Sequence, residues 1–362
     1  MQKLGQLLLN LNTLPEEALE NFKSTLWSST PISSKTMIAI LENELGKKTG
    51  DIFSEFRTEP IGVGSVAQVH YAKLLSGEEV AVKIQYPDLD RINRQDLAML
   101  GRLFSMLKWV FPNIDYRMLI QLFNKVLENE SDFLFEASIL QQISKEFSGS
   151  ESIIFPKVYS QLSSRKVLVT EYIKGRNFYQ FIETSTKKER EAAALSISKV
   201  SLALYFKTRY VQLDPHPANY IFPSSDKVAC IDYGCCLKIP TDMNLELGKK
   251  LIEHANEKSI STFKSLVVES GLIDPDAIEK QEYLDEFINL IYQSYNWTHT
   301  KSHEVEKRFF HLLFNKGFNK AVKTPSIHFF LYAISNLQVV KTIAKLDVDE
   351  DETVAGRLLE IA

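Results

Sequence analysis

Gln212-Leu213-Asp214-Pro215-His216-Pro217-Ala218-Asn219, followed a short way on by Asp232-Tyr233-Gly234, decides how the rest of the chain is read. Asp214 and Asn219 stand in a D-x-x-x-x-N spacing, and Asp232 opens a D-x-G triplet. Kinase-type phosphotransfer sites use that arrangement. The residue types suit the chemistry. Mg2+ takes hard oxygen ligands, which Asn219 and Asp232 supply beside nucleotide phosphates. A separate carboxylate, Asp214, is needed to orient or deprotonate the group that attacks the γ-phosphate. Taken singly, each aspartate would be read as a loop-capping residue, so the weight falls on what else the chain provides.

It provides a nucleotide pocket. Val80-Ala81-Val82-Lys83-Ile84 alternates as a strand, with Val80, Val82 and Ile84 on one face and Ala81 and Lys83 on the other. Lys83 then grips phosphates while Ala81 lies under a base. Upstream, Gly62-Val63-Gly64-Ser65-Val66-Ala67-Gln68-Val69 fits G-x-G-x-x-A-x-V, with Ala67 where a third glycine would stand. Glycines let a backbone approach phosphate closely and aim N–H groups at it, so Gly62, Gly64, Ser65 and Val69 are assigned to the nucleotide. Val167-Leu168-Val169-Thr170-Glu171-Tyr172-Ile173 reads as a buried strand running into a hinge. The hinge backbone, at Glu171 and Ile173, is placed to meet an adenine. A lone G-x-G is usually a turn and a strand lysine is usually solvated. Five such elements in this order are hard to attribute to chance.

Four stretches then resemble the signatures of the ABC1/ADCK/UbiB atypical kinase family. They are Lys3-Leu4-Gly5-Gln6 (K-x-G-Q), Ser65-Val66-Ala67-Gln68-Val69-His70, Glu130-Ser131-Asp132 (E-x-D) and Asp214-Pro215-His216-Pro217-Ala218-Asn219. The resemblance runs from Lys3 to about Lys238 and is weaker beyond. It implies an α+β, two-lobed protein-kinase-like fold, with ATP or ADP and Mg2+ as cofactors. It also implies a role in isoprenoid-quinone (ubiquinone) or related lipid metabolism. The family pattern puts the carboxylate partner of Lys83 six residues after the E-x-D glutamate, at Glu136. It also lays the K-x-G-Q helix over the site, so that Lys3 and Gln6 contact Glu130 and Asp132 and gate access. Two departures accompany the match. The family usually has an alanine-rich nucleotide loop where this chain has Gly62 and Gly64. It also usually has a histidine where this chain has Gln212, although glutamine retains the capacity to hydrogen-bond to backbone.

Composition fits a soluble enzyme: 362 residues, 44% hydrophobic and 24% charged, enough for one large two-lobed domain or two domains. A net charge of −4 gives no reason to expect nucleic acid as a partner. Three cysteines, Cys230 and the adjacent Cys235 and Cys236, make no disulfide framework and lack metal-ligand spacing, so they are read as core residues. Met1-Gln2-Lys3 leads straight into the K-x-G-Q stretch without the regions of a secretory leader. The expected location is cytoplasmic or peripheral on a membrane, or mitochondrial if a targeting segment precedes this start. The apolar stretch Ile327 to Val340 is shorter than the roughly 20 residues of a spanning helix and is read as a buried helix.

The chain divides into a helical N-terminal extension at 1–57, a small nucleotide-binding lobe at 58–173 and a large helical catalytic lobe at 174–362. In the extension, Pro15 with Glu16-Glu17 starts one helix, and Pro31 to Gly46, with Ile38, Leu41 and Leu45 on one stripe, forms another. The long gap between Lys83 and Glu136 requires an inserted helical segment at about 88–125. Its apolar stripe (Leu97, Leu100, Leu103, Phe104, Leu107, Val110) is expected to cover the small lobe near the mouth of the site.

The course of the chain after Asp232-Tyr233-Gly234 bears on the substrate. Cys235 to Pro240 leads quickly into a helical pattern, without the long segment and A-P-E that build a peptide platform. A small-molecule or lipid-like substrate, or ATP hydrolysis, fits better than protein phosphorylation. A peripheral membrane surface or a quinone-biosynthesis complex completes the expected partners. The alternatives are a catalytically weak nucleotide-binding regulator (a pseudokinase), suggested by Gln212, and a conventional protein kinase, favoured only by the glycine loop.

Overall fold

A computed structural model of the protein describes residues 32–107, 116–241, 245–246, 249–250, 260–269, 276, 281–295, 308, 312, 335 and 339–348. Its upper part is an antiparallel sheet in the order β1 (Phe53–Val63), β2 (Ala67–Leu74), β3 (Glu79–Gln85), β5 (Val167–Glu171). The alternation read from the sequence decides its faces. Val80, Val82 and Ile84 are fully buried under helix α1 (Ser34–Leu45), and burying each side chain contributes roughly 1.5–3 kcal/mol. Ser33 accepts a hydrogen bond from the Thr36 N–H at the start of α1, and Gly46, left-handed at φ 64°, ends it. The buried stripe of α1 centres on Met37 and Leu41. Leu45 lies at its margin and Ile38 is only half-buried.

Two expectations of layout change. The division at 57/58 falls inside β1, whose first residue, Phe53, is already buried against α1. The inserted segment forms two helices, α2 (Leu89–Leu107) and α3 (Tyr116–Glu130), and runs past 125 to Glu130, ahead of α4 (Phe133–Glu146). Nor does the described part of its apolar stripe cover the small lobe. Leu100 and Phe104 pack with Phe123, Val126 and Leu127 of α3 and with Val211, Leu213, Leu237 and Ile239. Those last four belong to or flank a two-stranded ribbon of β7 (Tyr210–Gln212) and β10 (Cys236–Lys238). A lone ribbon is marginal in water and needs such a cover. Val110 and the side chains of Leu103 and Leu107 lie outside the described residues, as do Pro15 and the first of the two predicted N-terminal helices.

The lower part combines helices with a second sheet in the order β4 (Ile153–Ile154), β9 (Lys227–Cys230), β8 (Tyr220–Ser224), β6 (Arg176–Asn177). Helices α5 (Phe178–Thr184) and α6 (Lys187–Phe206) both begin with capping boxes, Asn177 with Gln180 and Thr186 with Glu189. Helices α7 (Ile260–Glu269) and α8 (Gln281–Tyr295) follow. The core joins Phe178, Phe181, Ile197, Leu204, Phe222 and Tyr233, with the Phe181 and Phe222 rings stacked at 3.8 Å. Cys230, Cys235 and Cys236 are buried there and in the adjoining cluster. Of the stretch Ile327 to Val340, Ser335 and Val339 are described and buried. Among the described residues no helix is long and apolar enough to cross a membrane.

The link between the two parts passes close to the lower sheet. A Cβ built on Gly175 would stand 2.7 Å from the carbonyl carbon and oxygen of Phe222 and 2.8 Å from the Ile221 side chain. Backbone cannot move aside as a side-chain tip can. Gly175→Ala is therefore expected to destabilise the protein by about 1–3 kcal/mol, read as a lower urea midpoint at unchanged slope.

Candidate active site

Pairing register sets the upper wall. Gly62 pairs with Val69 and Val69 with Lys83, so the three share one row and one face of the sheet. Ala81, two residues from Lys83, lies on that face too, opposite the valines that meet α1. Gly62 and Gly64 are not forced by the fold. A Cβ would meet nothing closer than 3.8 Å at Gly62 or 3.5 Å at Gly64, and neither residue is left-handed. Half-buried Ser65 follows at the loop tip. Behind the loop, Gln68 accepts from the Ile32 N–H at 3.1 Å and donates to His70 Nε2 at 2.9 Å, while His70 Nδ1–H donates to the Arg57 carbonyl at 2.9 Å. Burial holds the His70 pKa down, in keeping with that neutral tautomer. The family-like glutamine and histidine thus brace the loop hairpin from behind.

Lys83 is the centre of the site. Its Nζ donates to Glu136 Oε1 at 2.9 Å and Oε2 at 2.8 Å, and to Asp232 Oδ2 at 3.2 Å. Glu136 sits in the first turn of α4 and is almost fully buried. The Phe133 ring from the same turn lies 5.1 Å from Nζ. Burial works against the Lys83 ammonium, but the Asp232 and Glu136 carboxylates outweigh it and hold its pKa above the ordinary lysine range. Burial pushes the Glu136 carboxyl up to about 7, with Lys83 opposing and Asp232 adding to the rise. One ammonium faces two carboxylates, a surplus of negative charge that a divalent cation beside Asp232 would offset.

The lower wall follows from one hairpin and one closed loop. Asn219 immediately precedes β8 and Asp232 follows β9 after one residue, and the Ile231 N–H donates to the Asn219 carbonyl at 3.0 Å, so the pair of strands delivers both side chains to one end. Asn219 Nδ2 donates to the Asp214 carbonyl at 3.1 Å, closing the loop on itself. Asp232 Oδ1 accepts from the Gly234 N–H at 2.9 Å. A Cβ at Gly234 would approach Glu136 Oε2 to 3.1 Å, a tight contact that would press on the carboxylate holding Lys83. Gln212, read from sequence as a departure, donates through Nε2 to the Asp232 carbonyl at 2.7 Å and so braces the triplet. Half-buried Asp214 stands on the same loop.

The hinge is partly committed within the protein. The Glu171 N–H donates to Lys157 O at 2.8 Å and the Tyr172 N–H to Glu79 O at 3.0 Å, with half-buried Ile173 next in line. Of the four residues assigned to gating, Lys3 and Gln6 lie outside the described residues. Glu130 is buried, and Asp132 accepts from the Leu134 N–H at the start of α4 and pairs with Arg165 at 3.4 Å. Two supports carry no motif and escaped sequence reasoning. Ser335 donates to the Gln212 carbonyl, and Thr342 Oγ1 donates to the buried Pro215 carbonyl at 2.8 Å. Both hold the loop from the far C-terminal side.

A small antiparallel sheet over a helical lobe, with a strand lysine clasped by a helix glutamate and a D-x-G aspartate, defines a protein-kinase-like fold. The chain belongs to the ABC1 atypical kinase-like family, whose domain model matches residues 26–265. It is 32% identical over 241 residues to AarF domain-containing protein kinase 1 of Gallus gallus, covering 64% of this chain and 46% of that one. It is likewise 32% identical over 246 residues to the probable protein kinase UbiB of Pseudomonas fluorescens, covering 64% and 45%. The chain thus spans less than half the length of these relatives. A solved structure, the complex of Rv3197 with erythromycin from Mycobacterium tuberculosis, matches 97% of this chain and 91% of its own at a TM-score of 0.65 and 23% identity. That likeness supports the fold.

Thr342→Val keeps the side-chain shape and leaves the Pro215 carbonyl buried without its donor. It is expected to cost about 1–3 kcal/mol in chemical denaturation.

Proposed function

We propose that the chain is an atypical kinase or ATPase that uses MgATP on a small-molecule or lipid-like substrate. The observation that carries this reading is the clasp of Lys83 by Glu136 and Asp232, the charged constellation that phosphoryl transfer requires at the nucleotide phosphates. In this reading Lys83 grips the phosphates and Glu136 holds it there. Gly62, Gly64 and Ser65 bring backbone N–H groups to the phosphates, Val69 and Ala81 lie against the base, and the hinge from Glu171 to Ile173 meets its edge. Because the first two hinge N–H groups already donate within the protein, Ile173 is the natural donor to adenine. Asn219 and Asp232 have the oxygen donors to hold Mg2+, which when bound offsets charge on the phosphates. Asp214 orients or deprotonates the attacking group.

Turnover is favoured over the pseudokinase reading by Gln212, which keeps a hydrogen bond to the Asp232 carbonyl. A small substrate is favoured over a protein by the course of the chain after Gly234, which enters β10 at Cys236. The name of the UbiB relatives supports isoprenoid-quinone metabolism as the setting, with the protein cytoplasmic or peripheral on a membrane. The family pattern adds a gate in which Lys3 and Gln6 meet Glu130 and Asp132. The nucleotide would lie between a small lobe ending near 173 and the catalytic lobe after it.

With MgATP at about 100 times its dissociation constant, the wild type is expected to gain about 2.7 kcal/mol of stability. Lys83→Ala and Asp232→Asn should lose most of that gain, and an unchanged thermal shift in both would refute the nucleotide site. Asp214→Asn should keep the shift and lose ADP formation. Parallel loss of binding and turnover would make Asp214 a structural or metal-holding residue instead. ADP release assayed with prenylated phenols and, separately, with peptides distinguishes the substrate classes.

A further inference from the structure

The turn that joins α3 to α4, Asn129-Glu130-Ser131-Asp132, is buried at its first three positions and is bonded to three other elements. Gln85, at the end of β3 and two residues beyond Lys83, donates through Nε2 to the Ser131 carbonyl at 2.8 Å. Asn129 Nδ2 donates to the Cys236 carbonyl at 3.0 Å, at the start of β10 and two residues beyond Gly234. Asn93 of α2 donates through Nδ2 to Ser131 Oγ at 2.9 Å, and that hydroxyl in turn donates to the Leu127 carbonyl at 2.7 Å. Gln85 and Asn129 are themselves buried, at 4% and 6% exposure. The helix that carries Glu136 is therefore fastened at its N-terminal end both to the strand that carries Lys83 and to the strand that follows Asp232.

In kinases whose equivalent helix swings, forming the lysine–glutamate pair is the step that activation controls. Here the same swing would break two buried hydrogen bonds at once. Each breakage leaves a desolvated donor or carbonyl without a partner, and such states are rarely populated. Because Gly234 and Cys236 are so close in sequence, no long segment intervenes whose refolding could carry the helix away.

We propose that Gln85 and Asn129 are positioning residues that keep Glu136 on Lys83 and Asp232 in the absence of ligand or modification. The site is then pre-assembled, and any control acts on access to it. The consequence for turnover rests on the nucleotide reading above, but the position of the helix does not.

Hydrogen exchange on the full chain, with and without MgATP, tests this. The amides of 133–137 should exchange slowly in the wild type and respond little to MgATP. In Gln85→Ala/Asn129→Ala they should exchange about tenfold faster or more, and MgATP should restore part of the protection. Exchange in α1 and α6 should stay unchanged, which a merely structural role would not predict, and kcat for ADP formation should fall more than KM for ATP rises. Asn129→Leu, which nearly keeps the shape and removes the donor without adding charge, gives the same comparison if the double variant does not fold. Fast wild-type exchange at 133–137 that MgATP suppresses would overturn the proposal, as would unchanged exchange in the variants. If MgATP protects no amide anywhere, including 62–69, the nucleotide reading fails, while the variants measured without ligand still decide the positioning role.

Discussion

A charged, partly buried lysine held between a buried glutamate and a more exposed aspartate is the constraint on which the structure turns. Desolvating such groups costs several kcal/mol per ion unless geometry and further hydrogen bonds compensate. The compensation is spread over the whole chain. The sheet register brings Lys83 to its place, the first turn of α4 brings Glu136, and the closure of β8 on β9 brings Asp232. The Gly234 N–H and the Gln212 amide then hold the aspartate and its peptide. No single element contributes two of the three charged groups, so the site exists only when the folded units are docked. That explains why so many buried polar bonds run between the elements that carry them.

What was legible in the sequence was what spacing encodes. Lys83 on an alternating strand, the Asp214–Asn219 loop and the Asp232 triplet are local patterns whose geometry follows from the chain itself. Glu136 needed a family resemblance, because its partner lies 53 residues away and nothing local distinguishes it from a surface helix glutamate. Ser335, Thr342, Gln85 and Asn129 gave no signal, since a buried donor to a backbone carbonyl can be almost any polar residue at almost any sequence distance. The packing of α2 was misread for a related reason. Periodicity shows that a stripe must be buried but not which surface buries it, and the ribbon of β7 and β10 could not be identified as an apolar surface before its pairing was known.

The loop between β1 and β2 separates two reasons for glycine. Gly175 is glycine because backbone atoms leave no room for a Cβ, and at Gly234 a Cβ would crowd the Glu136 carboxylate at 3.1 Å, whereas Gly62 and Gly64 have the room and no unusual backbone angle. A glycine that the fold does not require leaves an opening above the loop, on the side where phosphate would approach. An alanine-rich loop, usual in the family, would be compatible with the same backbone. In the proposed nucleotide site, the departure at Gly62 and Gly64 therefore bears on the ligand and not on the fold.

The other departure leads to a similar separation. Histidine and glutamine differ in shape and in titration, but both present an N–H at the end of a short planar side chain. At position 212 that group donates to the Asp232 carbonyl. A glutamine amide does not titrate near neutral pH, so this brace has the same strength on either side of neutrality. Ser335 donates to the Gln212 carbonyl and Thr342 to the Pro215 carbonyl, and these hydroxyls are equally indifferent to pH. These three braces of the loop, Gln212, Ser335 and Thr342, are thus groups that do not ionise. The groups whose charge matters, Lys83, Glu136 and Asp232, are gathered above it, where their ionisation is set by one another and by what binds.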